Sequence, residues 1–82
     1  MSEADKMFEE LGYEKIVEDS IYIQYEFEGF YMDNVPFLNE IKFDLKGKTI
    51  LKEYSNGDSQ EITLQELQAI NKKCEELGWL DE

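Results

Sequence analysis

The sequence has no histidine and no arginine, and it has one cysteine and one proline in 82 residues. Without histidine, it lacks the usual imidazole general base and the commonest neutral metal ligand. Without arginine, it lacks the planar guanidinium group that binds phosphates and carboxylates through two parallel hydrogen bonds. Histidine-dependent catalytic triads and histidine zinc sites are therefore excluded.

Disulfides and membrane spans are also missing from the sequence. Cys74 is the lone cysteine, so it cannot form an internal disulfide, and no apolar run is long enough to cross a membrane. The first residues do not combine basic and apolar stretches as a signal peptide does. We therefore expect a cytoplasmic protein that makes no membrane contact.

Charge of one sign dominates the chain. Twenty acidic residues and eight lysines give a net charge of -12. Because phosphate neutralisation supplies most of the affinity for nucleic acids, a chain this acidic is a poor candidate for direct binding to DNA or RNA. Partners that carry positive charge fit it better.

The remaining polar residues form no recognised reaction or cofactor motif. The five glycines are too widely spaced to cradle a phosphate, and Asn56-Gly57-Asp58 lacks the other ligands of a calcium loop. Cys74 lies on an apolar helical stripe, where a thiol acts as a small hydrophobic group. We expect no catalytic residue, no cofactor and no metal, and we interpret the chain as a protein without enzymatic activity.

The length and the apolar content predict a single small domain spanning residues 1–82. Hydrophobic residues make up 41 % of the chain, which is enough for one core. A first helix is predicted from about residue 3 to Leu11, with Ser2 as its N-cap. Gly12 follows it, at a place where glycine adopts the left-handed conformation that ends a helix.

A second helix is predicted near the end of the chain. Thr63 and Glu66 form a capping box, and Gly78 ends the helix. Its apolar residues recur at helical spacing and predict a buried face. That face consists of Leu67, Ile70, Cys74 and Leu77.

Between the helices, apolar residues alternate with polar ones, as in strands with one buried face. Short strands are predicted at 13–17 and from Ile21, with Ile21 itself on the buried face. Segments 40–45 and 49–54 form the clearest hairpin, turning at Lys46-Gly47, with Phe43 opposite Ile50. A second turn is predicted at 55–58, followed by a short strand at 59–62.

Segment 29–38 is the most apolar connection in the chain and contains the only proline. In one interpretation, it extends the preceding strand and covers one end of the core. In the other, its side chains form an exposed patch for a partner or for a second copy of the chain. The candidate interaction surface comprises Phe30, Tyr31, Met32, Val35 and Phe37.

The two ends of the chain resemble a group of small, uncharacterised proteins encoded by phages and prophages of low-GC Gram-positive bacteria. The similarity rests on residues 4–13 and on 62–64, 66–73 and 75–79, including the related segments Glu-Glu-Leu-Gly-Tyr and Glu-Glu-Leu-Gly-Trp. The exclusive use of lysine over arginine agrees with an AT-rich genome. The resemblance implies phage or prophage origin and a location in the host cytoplasm, and it implies no catalytic motif.

These patterns predict an α+β fold. We expect an N-terminal helix, an antiparallel meander of three to five strands and a C-terminal helix, with both helices packed on one face of the sheet. The opposite face is expected to be exposed. It would carry Glu26, Glu40, Lys42, Asp44 and Glu53.

Two functions are compatible with this fold. One is an acidic accessory protein that binds a host or phage protein, in the extreme case as a mimic of nucleic acid. The other is a structural module that forms a homodimer through segment 29–38. A homodimer held by apolar contacts would resist salt, whereas binding through charge would weaken as salt rises.

Overall fold

A computed structural model describes residues 2–30, 32–54 and 61–80. It has two helices and four strands: α1 (Glu3–Glu10), β1 (Glu14–Glu18), β2 (Tyr22–Phe30), β3 (Pro36–Asp44), β4 (Thr49–Tyr54) and α2 (Leu64–Glu76). The strands form one antiparallel sheet in the order β1-β2-β3-β4, so each strand pairs with the next one in the chain. The predicted α+β class and the meander between two helices are confirmed.

The chain divides into two compact units. One unit contains the two helices and comprises Met1–Gly12 and Glu61–Glu82, and the other contains the sheet and comprises Tyr13–Gln60.

Both helices begin with the predicted caps. The Ser2 hydroxyl accepts a hydrogen bond from the Asp5 amide at 3.0 Å, and α1 ends before Gly12, which has a φ of 95°. In α2, the Thr63 hydroxyl accepts from the Glu66 amide at 3.1 Å, and the Glu66 carboxylate accepts from the Thr63 amide at 3.0 Å. This reciprocal pair is the capping box that the sequence predicts.

The end of α2 satisfies its last carbonyl groups by a Schellman motif. Gly78 has a φ of 77°, and its amide donates to the carbonyl of Glu75 at 3.1 Å. The amide of Trp79 donates to the carbonyl of Cys74 at 2.9 Å. Together these two bonds define the motif, for which a left-handed residue is needed after the helix.

The two helices lie antiparallel to each other. At the start of α1, the Ala4 amide donates to the Glu76 carboxylate at 2.9 Å, and Asp5 pairs with Lys73 at 3.4 Å. The Asp5 and Lys73 side chains are only 12 % and 7 % exposed. Removing one partner of such a buried ion pair leaves the other charge uncompensated, so the loss of either side chain should destabilise the contact between the helices.

The buried face of α2 differs from the predicted one in its N-terminal half. Ile70 and Cys74 are buried as predicted, but Leu67 is 52 % exposed. The buried stripe consists of Glu66, Ala69, Ile70, Lys73 and Cys74. These positions follow helical spacing from the capping residue Glu66, so the face is rotated away from Leu67.

The hairpin between β3 and β4 has the predicted register, with Phe43 opposite Ile50 and Asp44 opposite Thr49. Its turn is longer than the predicted Lys46-Gly47 pair. The Asp44 carboxylate accepts hydrogen bonds from the amides of residues 46 and 47, at 3.0 and 3.2 Å. Lys48, rather than Gly47, takes the left-handed conformation, with a φ of 53°.

The predictions for the first two strands need two corrections. β1 spans Glu14–Glu18 rather than 13–17, and Ile21 precedes β2 and is 57 % exposed. The Asp19 carboxylate accepts from the amides of Ile21 and Tyr22 at 2.7 and 2.9 Å, which bends the chain before β2 begins. The hydrogen bonds from Tyr22 and Ile21 lower the pKa of Asp19.

One face of the sheet, called the inner face below, carries the buried residues of this unit. Tyr25 and Phe43 meet there edge to face, with their ring centroids 5.9 Å apart. Asn39 and Lys52 are also buried on this face. The Asn39 side-chain oxygen has no hydrogen-bond partner among the described residues, which is uncommon for a buried polar atom.

The predicted turn at 55–58 and the first half of the predicted strand at 59–62 lie outside the described residues. Residues 61–63, which are described, have no regular secondary structure.

Candidate protein interface

The second face of the sheet, called the outer face below, is open. Side chains alternate between the two faces, and partners in an antiparallel register point to the same face. The outer face carries six acidic residues and one lysine: Glu14, Glu26, Glu28, Glu40, Asp44, Glu53 and Lys42. None of these side chains is buried. The predicted composition of this exposed face is therefore confirmed, and the face also includes Glu14 and Glu28.

Four of these glutamates form one line across the whole sheet. Glu14 is the register partner of Glu26, Glu26 is the partner of Glu40, and Glu40 is the partner of Glu53. We call this line the glutamate row. Neighbouring strands are about 4.8 Å apart, so the row places four carboxylates along about 14 Å. Directly opposed like charges destabilise a sheet, so the arrangement costs folding free energy.

A β-bulge brings Glu14 into the row. The register between β1 and β2 shifts between Lys15 and Val17, which adds one unpaired residue, Ile16, to β1. Without this extra residue, Glu14 and Val17 would point to opposite faces. The sequence pattern did not reveal Glu14 as part of the face, because a bulge of this kind has no glycine or proline to mark it.

The polar neighbours of the row leave its charge largely uncompensated. The side-chain amide nitrogen of Gln24 donates a hydrogen bond to the Glu40 carboxylate at 2.9 Å. Lys42 is held over the Tyr22 ring, with its ammonium nitrogen 4.3 Å from the ring centroid. Among the described residues, no lysine forms an ion pair with the row. An approaching cation would therefore meet four carboxylates, none of which is held in an ion pair with a described lysine.

The predicted interaction surface in segment 29–38 forms the end of the β2–β3 hairpin. Phe30 lies on the outer face opposite Pro36 and is 62 % exposed. Met32 in the turn is fully exposed, and Val35 is 48 % exposed. Tyr31 lies outside the described residues. The structure thus brings Phe30, Met32 and Val35 to one exposed hairpin end.

Phe37, the fifth predicted interaction residue, belongs to the inner face. It is half-buried, and its ring lies 6.2 Å from that of Phe27, which in turn lies 5.7 Å from that of Tyr13. Phe37 also covers Gly29, its register partner, so closely that a Cβ atom at Gly29 would lie 2.8 Å from one ring carbon and nearer still to the next. Segment 29–38 therefore combines a packed side and an exposed side.

Among the residues that the structure describes, the chemical candidates do not assemble into a reactive site. Cys74 is buried, and burial raises the pKa of its thiol, which disfavours the reactive thiolate. No group of three or more acidic or cysteine residues in the described ranges is arranged to hold a metal ion. Residues 56–58, which superficially resemble a calcium loop, lie outside those ranges.

One small cavity lies within the helical unit. Its volume is about 130 Å³, and it is lined by Met7, Glu10, Leu11, Gln65 and Gln68. This is below the usual size of a pocket for a small-molecule ligand. The outer face of the sheet remains the larger candidate surface.

Comparison of the chain with models of known protein families, with curated proteins and with solved structures found no match. Within the described ranges, neither helix has both the length and the apolar character that a membrane crossing requires.

Proposed function

We propose that this protein is a non-enzymatic accessory protein that binds a protein partner from a phage or from its bacterial host, in the host cytoplasm. The glutamate row is the observation that carries the proposal. It crosses all four strands, it opposes like charges at a cost in stability, and no lysine in the described residues forms an ion pair with it. Features that lower stability without a structural benefit are typical of binding surfaces.

The partner carries positive charge on the surface that meets the row. Complementary charge speeds association and selects among partners, and it makes binding sensitive to salt. Mimicry of nucleic acid is the strongest form of this function, since the carboxylates then stand in for phosphates. Phage origin remains a proposal that rests on the resemblance of residues 4–13, 62–64, 66–73 and 75–79 to phage and prophage proteins.

The experiment is capture from a nuclease-treated bacterial lysate on the immobilised protein, with elution by increasing salt and mass spectrometry. The double variant Glu26→Gln, Glu40→Gln serves as the test, and Glu9→Gln, Glu10→Gln on α1 has the same net charge and serves as the control. We expect a basic protein retained by the wild type and by the control, and lost from the test variant. Equal retention by all three would refute a role for the row.

Self-association is a second candidate function, and it has its own observation. Phe30, Met32 and Val35 give the hairpin end an exposed apolar surface. A dimer formed there would keep its doubled mass in high salt, because apolar burial holds it. Sedimentation of the wild type and of Met32→Glu at high salt tests this. A monomer at all concentrations would exclude it.

A further inference from the structure

The geometry of the outer face also restricts the shape of the partner. The face is an open, unpartnered surface in the described residues, with the glutamate row in its middle. Apolar side chains lie beside the row on both sides. On one side, Val17 and Leu51 flank its two ends, with Gln24 and Lys42 between them, and on the other side Leu38 lies beside Glu28. Leu51 is 51 % exposed, and Val17 and Leu38 are half-buried. The surface therefore offers a charged line with apolar residues on both sides, interrupted by polar ones.

The row runs across the strands, and its spacing can be compared with the side-chain spacing of each regular structure. An α-helix presents one side chain per turn on the same face, every 5.4 Å, so positions i, i+4, i+7 and i+11 span about 16 Å. An extended strand presents same-face side chains every 6.6 to 6.8 Å, so four of them span about 20 Å. The row spans about 14 Å. The span of the helical side chains differs from that of the row by about 2 Å, which is within the reach of a glutamate side chain. The span of the strand side chains differs by about 6 Å.

Charge and the flanking residues exclude other occupants. A second copy of the face would oppose like charges, and nucleic acid would oppose phosphates to carboxylates. A helix with cations along its centre and apolar residues on either side would place its cations on the row and its apolar residues near Leu51 and Leu38. This arrangement satisfies both features of the surface.

We propose that the partner contributes a basic amphipathic α-helix that lies across the four strands along the glutamate row. The inference rests on the proposed function and specifies the partner element that the same face binds. Lysine or arginine recurs once per turn on the contacting side of that helix. The contact is made through the ends of long side chains, so it depends on charge spacing more than on close packing.

Three synthetic peptides of one composition test the inference. Each has about 18 residues, a length at which an alanine-rich helix is marginally stable alone. The first peptide has lysines at i, i+4, i+7 and i+11 with leucines beside them. The second has the same lysines distributed around the helix. In the third, the proline that stands at the end of the other two is moved to the centre of the peptide. Calorimetry gives the affinity, and circular dichroism gives the helix content of the bound peptide.

We expect the first peptide to bind at least about tenfold more tightly than the other two and to gain helix content on binding. The double variant Glu26→Gln, Glu40→Gln should lose this preference, and the control Glu9→Gln, Glu10→Gln should keep it. If the three peptides bind with equal affinity and the test variant still weakens that binding, the inference of a helical partner element is wrong, and the proposed function is retained. Binding insensitive to the test variant, or no binding, would overturn both.

Discussion

Replacing Glu26 by glutamine should make the protein more stable. Glu26 is opposed by Glu14 on β1 and by Glu40 on β3, so the substitution removes two like-charge pairs. Each directly opposed pair destabilises a sheet by about 0.2 to 1 kcal/mol, so the expected gain is about 0.4 to 2 kcal/mol at low salt. Glutamine keeps the length and the polarity of the side chain, so little else changes on this half-exposed position.

The assay is urea denaturation followed by circular dichroism, at about 0.01 M and about 1 M salt, where the Debye length is about 30 Å and about 3 Å. The wild type should gain stability with salt, and the advantage of Glu26→Gln should shrink. The slope of the free energy against urea should stay the same, because the exposed area on unfolding does not change.

Glu28→Gln is the matched control for this prediction. Glu28 lies on the same strand and the same face, but its register partner is Leu38, so it has no carboxylate directly opposite. Glu28→Gln removes the same charge and should increase the free energy of unfolding by less than half as much as Glu26→Gln does. If Glu28→Gln stabilises as much as Glu26→Gln, or if Glu26→Gln destabilises the protein, the opposed-charge argument is wrong.

Three further predictions test the packing, the capping and the cysteine. Gly29→Ala should cost about 1 to 3 kcal/mol in urea denaturation, because the new methyl group would displace the Phe37 ring, and a smaller loss would show that the ring moves freely. Thr63→Ala should cost about 1 kcal/mol by removing one half of the capping box with Glu66, while Thr63→Ser should restore stability to within a few tenths. The Cys74 thiol, whose pKa is raised by burial, should react slowly with a thiol reagent in native buffer and rapidly in urea, and rapid native labelling would contradict its placement.

The sequence predicted the outer face well because alternation with a period of two is a strong signal. Glu26, Glu40 and Glu53 occupy polar positions of three alternating strands, and the β3–β4 register followed from a short turn. What the pattern could not provide was their alignment with Glu14. That alignment depends on the bulge at Ile16 and on the Asp19 turn, and both are set by contacts between strands rather than by local composition.

The difference between the predicted and the observed buried face of α2 has a physical origin. The apolar character of Leu67 predicts that it lies on the buried face, yet the helix buries Glu66 and Lys73, whose polar ends find partners. Asn39 and Lys52 similarly occupy inward positions of strands. The periodicity of a sequence shows only where polar residues occur. It does not show whether a polar residue will find a hydrogen-bond or charge partner that allows it to be buried.

The central claim is that the glutamate row is kept for binding at the expense of stability. The most direct test measures two quantities on Glu26→Gln, Glu40→Gln: its free energy of unfolding, and its Kd for the purified partner that the wild type captures. We expect a more stable protein that binds the partner at least about tenfold more weakly. A variant that binds as tightly as the wild type, or that loses binding only because it is less stable, would contradict it.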